Sequence, residues 1–232
     1  MKIKENILEL KDDIKKYSPN PEKVLLLPTT KYVDALGVLE VVKAGCKVVG
    51  ENRVQALEEK REILNSLGEK DIKWHFIGNL QKNKVKYIAP YIDMIHSVNK
   101  ISLAKEIDKR AKQNNRRIDV LLEVNISNEE SKEGYSIKRL YEELPDLLKL
   151  ENINICGLMT MAPFTYEEED IRKVFSDLLK LKDQLNKRYF NGKLVELSMG
   201  MTNDYKIALF EGATILRVGS KIFKYEGRKW NF

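Results

Sequence analysis

Eight short apolar runs, most rich in β-branched residues, recur along this chain, and a segment with helical spacing follows each of them. The runs are Val24–Thr29, Lys47–Gly50, Lys73–Ile77, Met94–Val98, Asp119–Ile126, Asn154–Thr160, Leu194–Ser198 and Ala213–Val218. Between them lie Val33–Ala44, Glu51–Leu67, Asn83–Ile88, Lys100–Asn114, Ile137–Leu150, Glu167–Lys187 and Asp204–Glu211, with a short piece after Gly219. Such alternation implies parallel strands joined by right-handed helical crossovers. Eight units in 232 residues predict a (β/α)8 TIM barrel near the lower size limit of that fold. Ile3, Ile7, Leu10 and Ile14 have the spacing of an amphipathic helix, so an extra helix is expected ahead of the barrel. A doubly wound sheet is the alternative, because periodicity does not say whether the sheet closes. No Pro/Gly/Ser-rich linker or break in composition divides the chain, so residues 1–232 are expected to form a single domain.

Composition narrows the classes further. Apolar residues at 43% and charged residues at 33% fit a folded soluble protein and argue against disorder, collagen or a coiled-coil rod. The net charge of +6 is spread along the chain and suits an anionic small ligand as well as a nucleic acid. The basic group Arg110, Lys112, Arg116 and Arg117 reads as a solvated helix face, so no nucleic-acid partner is expected. Cys46 and Cys156 both sit in apolar stretches and read as buried free thiols of a reducing compartment. Met1–Ile14 is charged throughout, unlike a signal peptide, and no run approaches the ~20 apolar residues of a membrane span. A cytoplasmic protein without a membrane partner is expected.

In a barrel, chemistry gathers where strands end and βα loops begin. Lys31 follows the first run; among apolar walls its amine would lose its proton more easily and become a nucleophile toward carbonyls, the alternative being a surface lysine. Asn52 follows the second run and offers donors to a ring substituent, or else belongs to an ordinary first helical turn. His75 in the third run and His96 in the fourth are the only histidines, without HxxxH or CxxC spacing, so no metal is expected. His75 reads equally as a pocket-lining group and as a hydrogen-bonded core residue. Ser198 in Leu197–Asp204 and Ser220 in Leu216–Ser220 place hydroxyls after the last two runs, where barrels often hold phosphate. The alternative for each loop is a capped helix start. No GxGxxG between strand and helix, no P-loop and no GxSxG elbow is present.

These segments together resemble the pyridoxal phosphate homeostasis family, whose barrel is similar to the N-terminal domain of alanine racemase. The resemblance is carried by Leu27–Lys31, Gly50–Gln55, Trp74–Lys84, Val124–Ser127 through Ser131–Tyr135, Gly157–Pro163, Leu197–Asp204 and Arg217–Phe223. It implies pyridoxal 5′-phosphate (PLP) held as a Schiff base on Lys31, with Ser198, Gly219 and Ser220 at the phosphate and Arg217 facing the pyridine nitrogen. Asn52 and His75 match pocket-lining positions. Three positions depart from the family pattern: Thr30 before Lys31, Asn79, and Lys224 where a glycine is usual.

Alanine racemase works with two opposed bases, the second a tyrosine from another domain, and no such domain is seen in this chain, which ends at Phe232. The expectation is therefore a PLP-binding homeostasis protein, monomeric or else dimeric, without robust turnover, that supplies PLP-dependent apoenzymes. The alternatives are a weak amino-acid racemase and a cofactor-free Schiff-base aldolase. Either requires an acid or base opposite Lys31, for which Tyr32, Tyr135 and Tyr205 are the candidates.

Overall fold

The computed structural model describes residues 2–127, 129, 133–163, 165 and 167–223. Helix α1 (Ile3–Tyr17) comes first, followed by β1 (Leu25–Pro28), α2 (Ala35–Lys43), β2 (Val48–Glu51), α3 (Val54–Ser66) and β3 (Lys73–Phe76). Then come α4 (Val85–Ile88), β4 (Met94–Val98), α5 (Ile101–Gln113), β5 (Ile118–Glu123), α6 (Ile137–Leu147) and β6 (Ile153–Met159). The last elements are α7 (Glu168–Leu185), β7 (Glu196–Ser198), α8 (Tyr205–Phe210), β8 (Ile215–Val218) and α9 (Ser220–Phe223). Each of the eight predicted runs overlaps a strand, and every ladder is parallel. The hydrogen-bonded order β1-β8-β7-β6-β5-β4-β3-β2 never reverses, as it would in a doubly wound sheet. A bridge from Thr29 to Gly50 joins the two ends, and the sheet is a (β/α)8 barrel. Ser131, Lys132 and Lys224 lie outside the described residues.

Two apolar layers follow from strand geometry, since alternate side chains point in and out. Leu27, Met94, Leu121, Cys156, Met159 and Ile215 fill the barrel interior. The larger layer packs the outward strand residues against the helices. Both cysteines are free and buried, and burial pushes the Cys156 thiol up to about 12. Helix α1 buries Ile3, Ile7, Leu10 and Ile14, as their spacing predicts, and packs against α2, α8 and α9. It is pinned there by Asn6 Nδ2 donating to the Ile222 carbonyl at 2.9 Å and by a 2.6 Å ion pair between Lys221 and Glu9.

The barrel closes at the β1–β2 seam, where a buried polar group reinforces the single bridge. Thr30 Oγ1 donates to Glu51 Oε1 at 2.6 Å. Lys60 Nζ reaches in from α3 and donates to the same oxygen at 2.6 Å and to the Thr30 carbonyl at 2.9 Å. Glu51 is wholly buried and Lys60 nearly so. Removing one partner of such a pair strands a charge in the interior. Lys60→Met is therefore expected to destabilise the fold by about 3–5 kcal/mol in urea unfolding, with part of the loss recovered by Glu51→Gln in the same chain. Additive losses in the double variant would show that the pair does not act as a unit.

Candidate functional site

The C-terminal ends of the strands surround a cavity of about 960 Å³. Of the residues singled out from the sequence, Lys31, Asn52, Arg217, Gly219 and Ser220 line it, while His75 and Ser198 do not. Lys31 sits in the tight turn Thr30–Tyr32 directly after β1. Its side chain is exposed at the mouth, the surface position of the two read from the sequence and not the apolar-walled one, and its Nζ lies 4.9 Å from the centre of the Tyr32 ring. Tyr32 lines the cavity, whereas Tyr135 is buried in the outer core and Tyr205 donates to Asp13 on α1.

Two glycines are required by close approach. A Cβ on Gly219 would come within 2.6 Å of Tyr32 Cε2 and 3.2 Å of the Thr29 carbonyl oxygen. A Cβ on Gly78 would lie 2.2 Å from the Asn52 carbonyl oxygen. Residue 219 therefore lets β8 meet the Lys31 turn, and residue 78 lets the β3 loop clamp the backbone of Asn52.

On the β7–β8 side, Ser220 Oγ donates to Thr202 Oγ1 at 3.0 Å, and the Lys221 amide donates to the same oxygen at 3.3 Å. Asp204 Oδ1 accepts the Met201 amide and fixes the loop that presents Thr202. Thr202 was missed from the sequence although it lies within the quoted segment Leu197–Asp204. Thr29 Oγ1 and Ser97 Oγ also face the cavity, and both are buried without a hydrogen-bond partner among the described residues. Unpaired buried hydroxyls are costly, so both suit a polar ligand.

Below the cavity, Ser198 belongs to a buried polar chain. Arg217 Nη1 donates to Ser198 Oγ at 2.7 Å, and Nη2 donates to the Thr160 carbonyl at 3.0 Å. Ser198 Oγ lies 2.9 Å from His96 Nδ1, and His96 Nε2 lies 3.0 Å from His75 Nδ1. Thus His75 is a hydrogen-bonded core residue, and Ser198 spends its hydroxyl on Arg217 and His96. Burial, opposed by Asp204 and Glu123, brings Arg217 down to about 10, so it stays protonated at neutral pH. Burial and the charge of Lys73 lower His75 to about 4; burial, His75 and Arg217 hold His96 well below its usual range. Both rings are neutral, and of these four linked side chains Arg217 alone carries a charge.

Glu123, at the end of β5, is the other group the sequence reading passed over. Burial pushes its carboxyl up to about 7, Arg217 opposes that, and the charge of Glu133 adds to it. The unfolded chain ionises this carboxyl from about pH 4.5, whereas the folded chain resists until about pH 7. Stability is thus lost as pH rises through that window. Glu123→Gln is expected to gain about 2–3 kcal/mol over the natural chain near pH 8 and almost nothing near pH 4.5. Thermal melts at the two pH values check this, and an equal gain at both would exclude ionisation as its cause.

A lysine at the end of β1 facing hydroxyl-lined loops after β7 and β8 defines a barrel of the alanine racemase type, and the family model described as "Alanine racemase, N-terminal domain" matches residues 2–227. A protein of Aquifex aeolicus named pyridoxal phosphate homeostasis protein is 45% identical over 198 residues, 85% of each chain. One of the same name from Synechocystis is 35% identical over 203 residues, covering 88% of this chain and 92% of its own. The structure of PipY from Synechococcus elongatus with PLP bound superposes with a TM-score of 0.87 at 32% identity, covering 96% of this chain and all of that one. The chain belongs to the pyridoxal phosphate homeostasis protein family.

Proposed function

We propose that this chain binds PLP in the cavity and serves PLP homeostasis, taking the cofactor up on Lys31 and releasing it to PLP-dependent apoenzymes. The observation that carries this reading is the convergence of an exposed amine, Lys31, with the Thr202–Ser220 hydroxyl pair and the close approach at Gly219 in one cavity. The unpartnered Thr29 and Ser97 hydroxyls show that the cavity has hydrogen bonds to give. Bound PLP supplies an electrophilic aldehyde on a phosphorylated pyridine ring. Lys31 holds the aldehyde through its amine, and its place at the mouth leaves it open to exchange with other amines. Thr202, Ser220 and the backbone at Gly219 hold the phosphate, and Asn52 lines the ring. Ser198 acts one step back, by orienting Arg217. Arg217 faces the ring nitrogen with donors only, so it does not sustain a ring proton there and electron withdrawal stays weak.

We read the chain as one domain, acting as a cytoplasmic monomer without robust turnover. No described helix is long and apolar enough to cross a membrane. Weak racemisation is the second reading, favoured by Glu123, an acid–base group on the strand opposite β1. Deuterium uptake at Cα of alanine in heavy water tests it; no uptake above that of free PLP leaves binding alone.

The visible absorption spectrum with added PLP tests the main reading, followed by borohydride reduction and peptide mapping. The expected result is a yellow band with the reduced adduct on Lys31, abolished in Lys31→Ala with the fold intact. An adduct scattered over surface lysines would sink the assignment. Ser220→Ala and Thr202→Val are each expected to weaken retention by ~1–3 kcal/mol, the cost of a lost charge-assisted hydrogen bond, measured by equilibrium dialysis. Unchanged retention in both would move the phosphate elsewhere.

A further inference from the structure

The side of the mouth formed by β3–β5 carries polar groups that the reading above leaves without a task. In ring order β5 stands opposite β1, so Glu123 faces Lys31 across the cavity, and β4 with Ser97 stands opposite β8 with Gly219 and Ser220. Glu133, from the loop before α6, accepts from Asn79 Nδ2 at 3.2 Å and from Asn99 Nδ2 at 3.0 Å. Both donors are neutral amides, so this carboxylate is fixed in place with its charge uncompensated by them. Glu123 is 4% exposed and has no side-chain hydrogen bond or ion pair among the described residues. Ser97 is 2% exposed, and its Oγ faces the cavity without a partner. The two halves of the mouth are therefore unlike. The β7–β8 half presents hydroxyls and a backbone amide to an anion, and the β3–β5 half presents two carboxyls and a hydroxyl oxygen.

We propose that the β3–β5 half is an ammonium subsite, holding the distal amino group of a small diamine or basic amino acid whose other amine reaches toward Lys31. An ammonium has three donors, no acceptor and a compact charge, which matches Glu123, Glu133 and the Ser97 hydroxyl. The buried wall around Glu123 strengthens the attraction relative to open water. The upward push on the Glu123 carboxyl agrees with this arrangement: burial disfavours its charge, the neighbouring Glu133 adds to that, and Arg217 opposes it without reversing it, so a further cation beside it is favourable. At 960 Å³ the cavity is large enough for such a molecule beside a bound cofactor. The meaning of the subsite rests on the PLP reading: it would select which amines meet the Lys31-bound aldehyde. Its binding step needs no PLP.

The test is calorimetric titration of the protein freed of PLP, near pH 8, with 1,5-diaminopentane, L-lysine and L-norleucine. The diamine and lysine are expected to bind, and norleucine, which lacks only the distal amine, at least about tenfold more weakly. Glu123→Gln and Glu133→Gln are each expected to weaken lysine at least about fivefold while neither variant melts below the natural chain and the PLP absorption band at Lys31 persists. Norleucine binding as tightly as lysine, or both Gln variants binding lysine within about twofold of the natural chain, overturns the proposal. PLP uptake without lysine binding overturns the subsite alone. Lysine binding without PLP uptake overturns the cofactor reading and leaves the subsite standing.

Discussion

A ring of parallel strands must close somewhere, and here it closes through one backbone bridge and one buried cation. The Lys60 ammonium holds the Glu51 carboxylate and the Thr30 carbonyl together, which ties α3, the end of β2 and the start of the β1 loop into one joint. The next residue after Thr30 is Lys31. The interaction that shuts the barrel therefore also sets the root of the Lys31 side chain. An exposed, four-carbon side chain has many rotamers to lose, so a rigid base is the only economical way to aim it. Charge is used at the seam for position more than for stability, since a buried pair gains little net energy over an apolar one.

The same logic recurs under the cavity. Arg217 is a buried cation with both terminal nitrogens committed, one to Ser198 and one to the Thr160 carbonyl. Ser198 is in turn backed by His96 and His75, two rings kept neutral by burial. A guanidinium so held cannot swing to meet a substrate; it presents a fixed edge. Fixed donors suit recognition of a ring nitrogen and do not suit proton shuttling. The titratable group that lies near neutrality at this end of the barrel is instead Glu123, on the far wall.

Most of the fold was legible because alternating periods leave a strong trace. The four apolar residues of α1 are buried as the pattern puts them, and each of the eight strands overlaps its run, with ends that differ by at most three residues. The site was legible in part. Lys31, Asn52, Gly219 and Ser220 follow strand ends closely, Arg217 is the last residue but one of strand β8, and all five reach the cavity. Ser198 was read as facing the anion because it ends a strand beside small residues. Its parity in β7 instead turns its hydroxyl inward to Arg217, and Thr202, four residues on, takes the place at the mouth. Glu123 was hidden by an overlong run: the apolar pattern continues to Ile126, but the ladder stops at Glu123 and Val124 bridges to Tyr135. A periodic pattern reports burial, and burial continues past a strand when a loop folds back over it. The His75–His96 contact was out of reach for another reason, since side chains on neighbouring strands meet through register, which a single sequence does not state.

The proposed carrier role and catalysis make different demands on this cavity. An enzyme that abstracts a proton from an amino acid needs acid–base groups on both faces of the reacting carbon and a strong electron sink. Here one wall offers an amine at the open mouth, the far wall offers the Glu123 carboxyl, and the floor offers a cation that keeps its protons and so provides no strong electron sink. A carrier needs something different: an amine accessible enough to be displaced, an anion grip strong enough to retain the cofactor between encounters, and little activation of the bound ring. On the proposed reading, the exposed Lys31, the hydroxyl pair at Thr202 and Ser220, and the locked Arg217 would meet those three needs in turn. The acidic wall adds a fourth element, because an amine drawn to Glu123 is brought into the cavity where Lys31 stands. On the proposed reading, selection among amines is the task that this barrel's asymmetry of charge would serve.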